Sequence, residues 1–253
     1  LYDGSYQKKP QKLKEVLDNF ESNDVNVFSL GEHPHLLTNP KNFDSAIEEG
    51  KQCVDLCANN GIKRFRVSIG GGKYDPLTEK PENIDQAVEW GVEVMRPVVE
   101  YAEEKGITLC LETHHNYSSN PEWQSKILDQ IQSDNFGFIF DIGNYENDQL
   151  RWKSLDVLLE KKALKYMHAK AYKFDEEGFE TTLDYPRAIK AIIDAGLDTY
   201  LSIEWEGNLS GVLGALKTNE LLKYSVAKAN DKEYEMKTDF PDEEELMDGL
   251  FPE

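Results

Sequence analysis

Repeated strand–helix units forming a parallel α/β fold are predicted by three features of the sequence. Six apolar runs have strand length, helical stretches lie between them, and glycines stand where three of those helices should end. Runs that are apolar at nearly every position suit strands buried on both faces. Their alternation with helical stretches is the pattern of βα units feeding a parallel sheet. A length of 253 residues suffices for one domain with a single large core.

A helical stretch over Pro10–Phe20 comes first, followed by predicted strands at Val25–Leu30, Arg64–Ile69, Ile107–Glu112, Phe136–Asp141, Leu164–His168 and Tyr200–Glu204. Asp44 and Asn83 are expected N-caps, because their side-chain oxygens can accept from first-turn amides, for helices running to about Asn60 and Lys105. Ile84, Ala87, Val88, Met95, Val98, Val99 and Ala102 give the second helix one apolar stripe, and Pro97 is expected to bend it. Asn60-Gly61-Ile62, Lys105-Gly106-Ile107 and Ala195-Gly196-Leu197 each set a glycine at a helix end, where a left-handed residue closes the helix.

A closed barrel of this kind has eight strands. The prediction is therefore a (β/α)8 TIM barrel over residues 1–229 that lacks one or two N-terminal strands, with Leu1–Tyr6 as the remains of a strand-to-helix turn. From about Asn230 the pattern fails. Asp231–Glu235 and Asp242–Glu245 are dense in charge, with Phe240, Leu246, Leu250 and Phe251 scattered among them. Residues 230–253 read as an acidic C-terminal extension, either solvated or wrapped on a neighbouring subunit.

Lys and Arg total 28 against 48 Asp and Glu, a formal net charge of -20. Such a field repels phosphate backbones and anionic membranes, and it draws cations into any cleft lined by carboxylates. Nucleic acid and membrane are thereby excluded as expected partners. No run approaches the roughly eighteen apolar residues of a membrane helix, and residues 1–20 are too polar for a secretory signal, so a cytoplasmic protein is expected. Cys53 and Cys57 share a predicted helix face and Cys110 lies in a strand; three thiols in these places read as packed core groups in a reducing compartment.

Chemistry is concentrated at strand ends. Glu112 (Leu111-Glu112-Thr113-His114-His115), Asp141 (Phe140-Asp141-Ile142-Gly143-Asn144), His168 (Tyr166-Met167-His168-Ala169-Lys170) and Glu204 (Ser202-Ile203-Glu204-Trp205-Glu206) each close a predicted strand. The C-terminal ends of barrel strands converge on one mouth, so these four can meet there. Ionised carboxylates at the ends of apolar strands are costly and repel one another; a divalent cation relieves both costs. Three carboxylates and one imidazole suit Mn²⁺ or Mg²⁺, with Co²⁺ or Zn²⁺ also compatible. Taken singly, each residue could instead be a carboxylate paired with Lys or Arg.

Alternation gives His114 the parity of Glu112, and Lys170 that of His168. His114 is a candidate general base or a hydrogen-bond partner of a metal-ligating carboxylate. Lys170 can stabilise an oxyanion or neutralise Glu204 or Glu206. His33 and His35 follow the first strand and are candidate substrate contacts, as are Tyr145 and Trp205, which with Tyr117 and Tyr172 lie near strand ends and could face a sugar ring or flat aglycone. Gly70-Gly71-Gly72-Lys73 lacks the spacing of a nucleotide fingerprint and reads as a tight turn.

In these motifs, taken in order over roughly residues 10–222, the chain resembles the xylose isomerase-like TIM-barrel superfamily of sugar isomerases, ketose epimerases and C-glycoside deglycosidase large subunits. The resemblance implies metal-ligand roles for Glu112, Asp141, His168 and Glu204. It departs from the ketose 3-epimerase pattern at Asn144, where those enzymes usually have His, at Phe174 in place of Arg, and at Ser118 in place of Glu. Glu-Thr-His followed by Asp-Ile-Gly-Asn is closer to the C-glycoside-cleaving branch. The expected function is metal-dependent proton transfer next to a sugar carbonyl, with Glu112, Glu204 or His114 as base. The alternatives are metal-assisted elimination from a 3-oxo-glycoside, or a non-catalytic barrel subunit. A homo-oligomer, or a complex with a small second subunit, is the expected assembly.

Overall fold

Strands and helices alternate along a computed structural model that describes residue 6 and residues 9–35, 40–69 and 80–241, without the side chains of residues 32–35. Among the described residues the order is α1 (Pro10–Ser22), β1 (Leu30–His35), α2 (Phe43–Asn59), β2 (Arg64–Ser68), α3 (Ile84–Lys105), β3 (Thr108–Glu112), α4 (Pro121–Gln130), β4 (Phe136–Asp141), α5 (Asp148–Glu160), β5 (Leu164–Ala171), α6 (Tyr185–Asp194), β6 (Leu201–Trp205) and α7 (Gly211–Ala229). The six strands follow sequence order in the sheet. Pairing is parallel between β1 and β2, β2 and β3, β3 and β4, and β5 and β6. No helix among the described residues is long and apolar enough to cross a membrane.

The chain divides into two compact units. The first comprises Leu1–Ile139 and Asn144–Lys165. Its core is built on Phe65, Val67, Leu109, Leu111, Phe138 and Ile139, all fully buried strand residues. The α3 stripe buries Ala87, Val88, Val94, Met95, Val98, Val99 and Ala102, and Asn83 caps the helix by accepting from the Gln86 amide. Pro97 sits inside this helix. All three cysteines are buried free thiols, and burial pushes Cys110 up to about 12.

The second unit comprises Phe140–Gly143 and Tyr166–Glu253. Here α6 and α7 pack together and α7 packs on β6, burying Tyr185, Ala188, Ile189, Ile192, Leu221 and Leu222. Residues 231–241 contain no helix or strand, yet they fold back on α7 of their own chain. Tyr234 Oη donates to Glu220 Oε2 at 2.7 Å and the Lys237 amide donates to the same oxygen at 3.4 Å.

Several boundaries differ from the sequence expectation. The first strand is Leu30–His35 rather than Val25–Leu30 because its ladder begins with Leu30 opposite Phe65, near the start of β2. Residues 25–29 lie ahead of the first register pair; among their contacts, Phe28 lies under the Arg64 guanidinium at 4.1 Å. Asn42, not Asp44, is the N-cap residue of α2, and Asp44 lies in the first turn, where its charge complements the helix dipole. β5 runs on to Ala171 because Lys170 remains in register with Glu204. The helix-closing glycines do adopt positive φ: 71° at Gly61, 66° at Gly106 and 72° at Gly196. Gly70–Lys73 and residues 242–253 lie outside the described residues.

Candidate metal centre

Parallel register gathers the polar residues of the second unit. Directly paired residues of parallel strands point to the same face, and alternate residues along a strand share a face. Lys170 pairs with Glu204, and His168 with Ser202, so His168, Lys170 and Glu204 lie on one face. Asp141 ends β4 and is fully buried. The adjoining Ile142 amide donates to the His168 carbonyl at 3.3 Å, and the Gly143 amide donates to Asp141 Oδ1 at 2.8 Å. A side chain at position 143 would not fit: its Cβ would lie 2.7 Å from Lys170 Cδ and 2.8 Å from Tyr172 Oη.

Asp141, His168 and Glu204 each present one ligand atom within 4.8 Å of the others. His168 Nδ1 is 3.8 Å from Asp141 Oδ2 and 3.6 Å from Glu204 Oε2. Metal–ligand bonds of about 2.0–2.2 Å separate two ligands on one ion by roughly 3–4 Å, so these gaps fit a shared cation with little rearrangement. Lys170 Nζ sits in the same cluster, 3.4 Å from Asp141 Oδ2, 3.1 Å from Glu204 Oε2 and 2.9 Å from Glu206 Oε1. Three carboxylates against one ammonium leave two negative charges, the complement of a divalent ion. The set can hold such a cation.

Electrostatics within the cluster are mutually supporting. Burial opposes charge on Lys170, but Asp141, Glu206 and Glu204 outweigh it and hold the ammonium above the ordinary lysine value. Burial likewise opposes charge on Glu204, yet His168, Asp141 and Lys170 hold its carboxyl well below the usual carboxylate range. Tyr185 braces the group from behind, its fully buried hydroxyl donating to the Lys170 carbonyl at 2.6 Å.

In the first unit, Glu112 ends β3 with its side chain fully buried. It forms an ion pair with Arg66 of β2. The sequence reading allowed a Lys or Arg partner for each strand-end carboxylate but did not single out Arg66, one of two arginines in β2. His114 lies just beyond the strand and is exposed, its ring 5.2 Å from that of His115 and its amide donating to Ser118 Oγ at 2.8 Å. Tyr145 is buried, with its hydroxyl 2.7 Å from Ser154 Oγ. Trp205 has the opposite parity to Glu204. Its ring stacks on Phe174 at 5.6 Å and lies against α7, where a Cβ on Gly214 would come within 2.2 Å of it. The side chains of His33 and His35 lie outside the described residues. The positions that depart from the ketose 3-epimerase pattern serve local structure: Ser118 supports the turn after β3, the Asn144 carbonyl accepts from Ser119 Oγ at 2.9 Å, and Phe174 stacks on Trp205.

Parallel strands whose C-terminal ends carry a cation-attracting cluster are the arrangement of an α/β-barrel enzyme. The chain belongs to the xylose isomerase-like TIM barrel family, which matches residues 2–225. A solved D-tagatose 3-epimerase-like protein superposes with a TM-score of 0.66 at 18% identity, covering 88% of this chain and 85% of the other. A xylose isomerase-like TIM barrel protein from Mycobacterium smegmatis, in complex with magnesium, superposes with a TM-score of 0.64 at 15% identity, covering 90% and 80%. At these identities the likeness shows the fold. A C-glycoside deglycosidase alpha subunit from Arthrobacter globiformis is 40% identical over 58 residues, which is 23% of this chain and 16% of that relative's length.

Proposed function

We propose that the protein is a divalent-metal-dependent enzyme that moves a proton on the carbon next to a sugar carbonyl, as an isomerase or epimerase does. The observation that carries this reading is the cluster of Asp141, His168, Glu204 and Lys170, with ligand spacing that suits one ion and a residual charge of opposite sign. Glu112 would complete the ligand set. Its strand-end motif, Glu-Thr-His, supports that role, as the family resemblance implies. The hard oxygen donors favour Mn²⁺ or Mg²⁺.

A divalent ion in this cluster supplies Lewis acidity to a carbonyl or hydroxyl oxygen of the substrate. The protein's own groups divide the remaining work. Glu204 or Glu112 is the candidate carboxylate base that takes the proton from the carbon beside the carbonyl, and exposed His114 is the candidate shuttle to solvent. Lys170, held charged by its carboxylate neighbours, donates to the developing oxyanion. Return of the proton to the same carbon epimerises the sugar; return to its neighbour isomerises it.

A second reading is favoured by the short match to the deglycosidase subunit. There the same carbanion, formed in a 3-oxo-glycoside, expels an aglycone, and a small second subunit completes the enzyme. One experiment separates the two. Protein loaded with Mn²⁺ is incubated in deuterated water with D-fructose, D-tagatose and a 3-oxo-C-glucoside, and products are read by NMR. Deuterium beside the carbonyl in a rearranged sugar supports the first reading, released aglycone supports the second, and neither product overturns both.

A further inference from the structure

We infer that the Tyr172 hydroxyl binds the substrate, donating a hydrogen bond to a carbonyl or hydroxyl oxygen of the sugar; this rests on the enzymatic reading above. Tyr172 follows directly after β5 and continues the alternation of His168 and Lys170, which puts it on the ligand-bearing face. Its hydroxyl is turned over Gly143, at 2.8 Å from where a Cβ there would stand, beside the turn that the Gly143 amide makes with Asp141. Only glycine at position 143 leaves room for that approach.

The hydroxyl keeps its donor capacity. Other tyrosines are engaged: Tyr185 donates to the Lys170 carbonyl, Tyr145 shares a hydrogen bond with Ser154, Tyr101 donates to Asp55 and Tyr234 to Glu220. Tyr172 Oη makes no hydrogen bond among the described residues, although the side chain is half-buried beside a cluster of charged groups. A phenol hydroxyl beside Lys170 and the Gly143 turn, with no protein acceptor of its own among the described residues, is suited to a polyhydroxylated ligand. The ring supplies an apolar wall and the hydroxyl supplies direction.

The test compares wild type with Tyr172→Phe, which removes one oxygen and leaves the ring. Both are loaded with Mn²⁺, and KM and kcat are measured for whichever of D-fructose, D-tagatose and a 3-oxo-glucoside the wild type exchanges fastest with deuterated water. Mn²⁺ affinity and thermal midpoint are measured alongside. The expected result is a KM raised about tenfold, the cost of one lost hydrogen bond to an oxygen acceptor, with Mn²⁺ affinity and midpoint unchanged. An unchanged KM overturns the role of Tyr172 alone, as does a KM that rises only in step with weaker Mn²⁺ binding and a lower midpoint. Wild-type protein that exchanges none of these sugars overturns the enzymatic reading, and this inference with it.

Discussion

Lys170 and Glu204 are register partners across β5 and β6, and their side chains meet with Nζ 3.1 Å from Oε2. Because Asp141 and Glu206 approach the same ammonium, Lys170 acts as an internal counter-ion to a carboxylate cluster rather than as a simple surface ion pair. The lysine is 2% exposed and Asp141 is fully buried, so screening by water is slight on that side. A cluster held at two negative charges retains attraction for a divalent ion without flying apart in its absence.

Replacing Lys170 by Met should therefore separate stability from metal affinity. Without chelatable ions the variant is expected to lose about 3 kcal/mol, since a buried charge is left without its partner. Added Mn²⁺ should raise its melting temperature more than that of wild type, because an ion bound only by the folded state stabilises by mass action. Thermal melts in EDTA and in excess Mn²⁺ measure both effects. A variant as stable as wild type in EDTA would show that the lysine is not the counter-ion.

Gly214 is predicted to resist the substitution that usually helps a helix. Alanine in place of a helical glycine ordinarily gains about 1 kcal/mol. Here its Cβ would lie 2.2 Å from the Trp205 ring. Gly214→Ala should instead lose about 1–3 kcal/mol through overpacking, with a red-shifted tryptophan emission as the ring is displaced. Denaturant titration followed by fluorescence checks both, and a gain in stability would contradict the packing described.

Glu220 anchors residues 231–241 and carries a pH signature. Its hydrogen bond from Lys223, with further ones from Tyr234 and the Lys237 amide, lowers its folded pKa against the opposing effect of burial. A carboxylate with a lowered folded pKa contributes stability that is present above its unfolded value of about 4.3 and is lost as pH falls through the folded value. Glu220→Gln should cost about 1–2 kcal/mol at pH 7 and flatten the stability loss below about pH 5. It should also hasten proteolytic cleavage within 231–241. Urea denaturation across that pH range, with limited proteolysis at neutral pH, gives the comparison; parallel acid limbs for the two proteins would remove Glu220 as the anchor.

The strands were legible because their burial on both faces leaves little but apolar residues, and the helix-closing glycines because positive φ leaves few other choices. Val25–Leu30 misled because apolar character alone does not supply a ladder partner; pairing starts where β2 starts. Alternation along the strand gave Lys170 the face of His168 and a candidate role against Glu204 or Glu206, and it meets both; what was not legible is that the strand runs past His168 to Ala171, which depends on the register with β6. Trp205 adjoins a polar strand end in sequence, but parity turns it towards α7, a distinction of one residue that alternation could have exposed. Arg66 beside Glu112 depends on which strands are neighbours, and no local pattern carries that information. The fold of residues 231–241 onto α7 was equally hidden, since their composition is that of a solvated tail and nothing local marks Glu220 as their anchor.

Equilibrium dialysis with Mn²⁺ tests the central claim most directly, comparing wild type with Asp141→Asn, Glu204→Gln and Glu112→Gln, with folding checked by circular dichroism. One ion bound per wild-type chain is expected, with affinity weakened at least about tenfold in each folded variant. No stoichiometric binding by the wild type, or binding that none of the three substitutions alters, would contradict the assignment of these side chains to a metal centre.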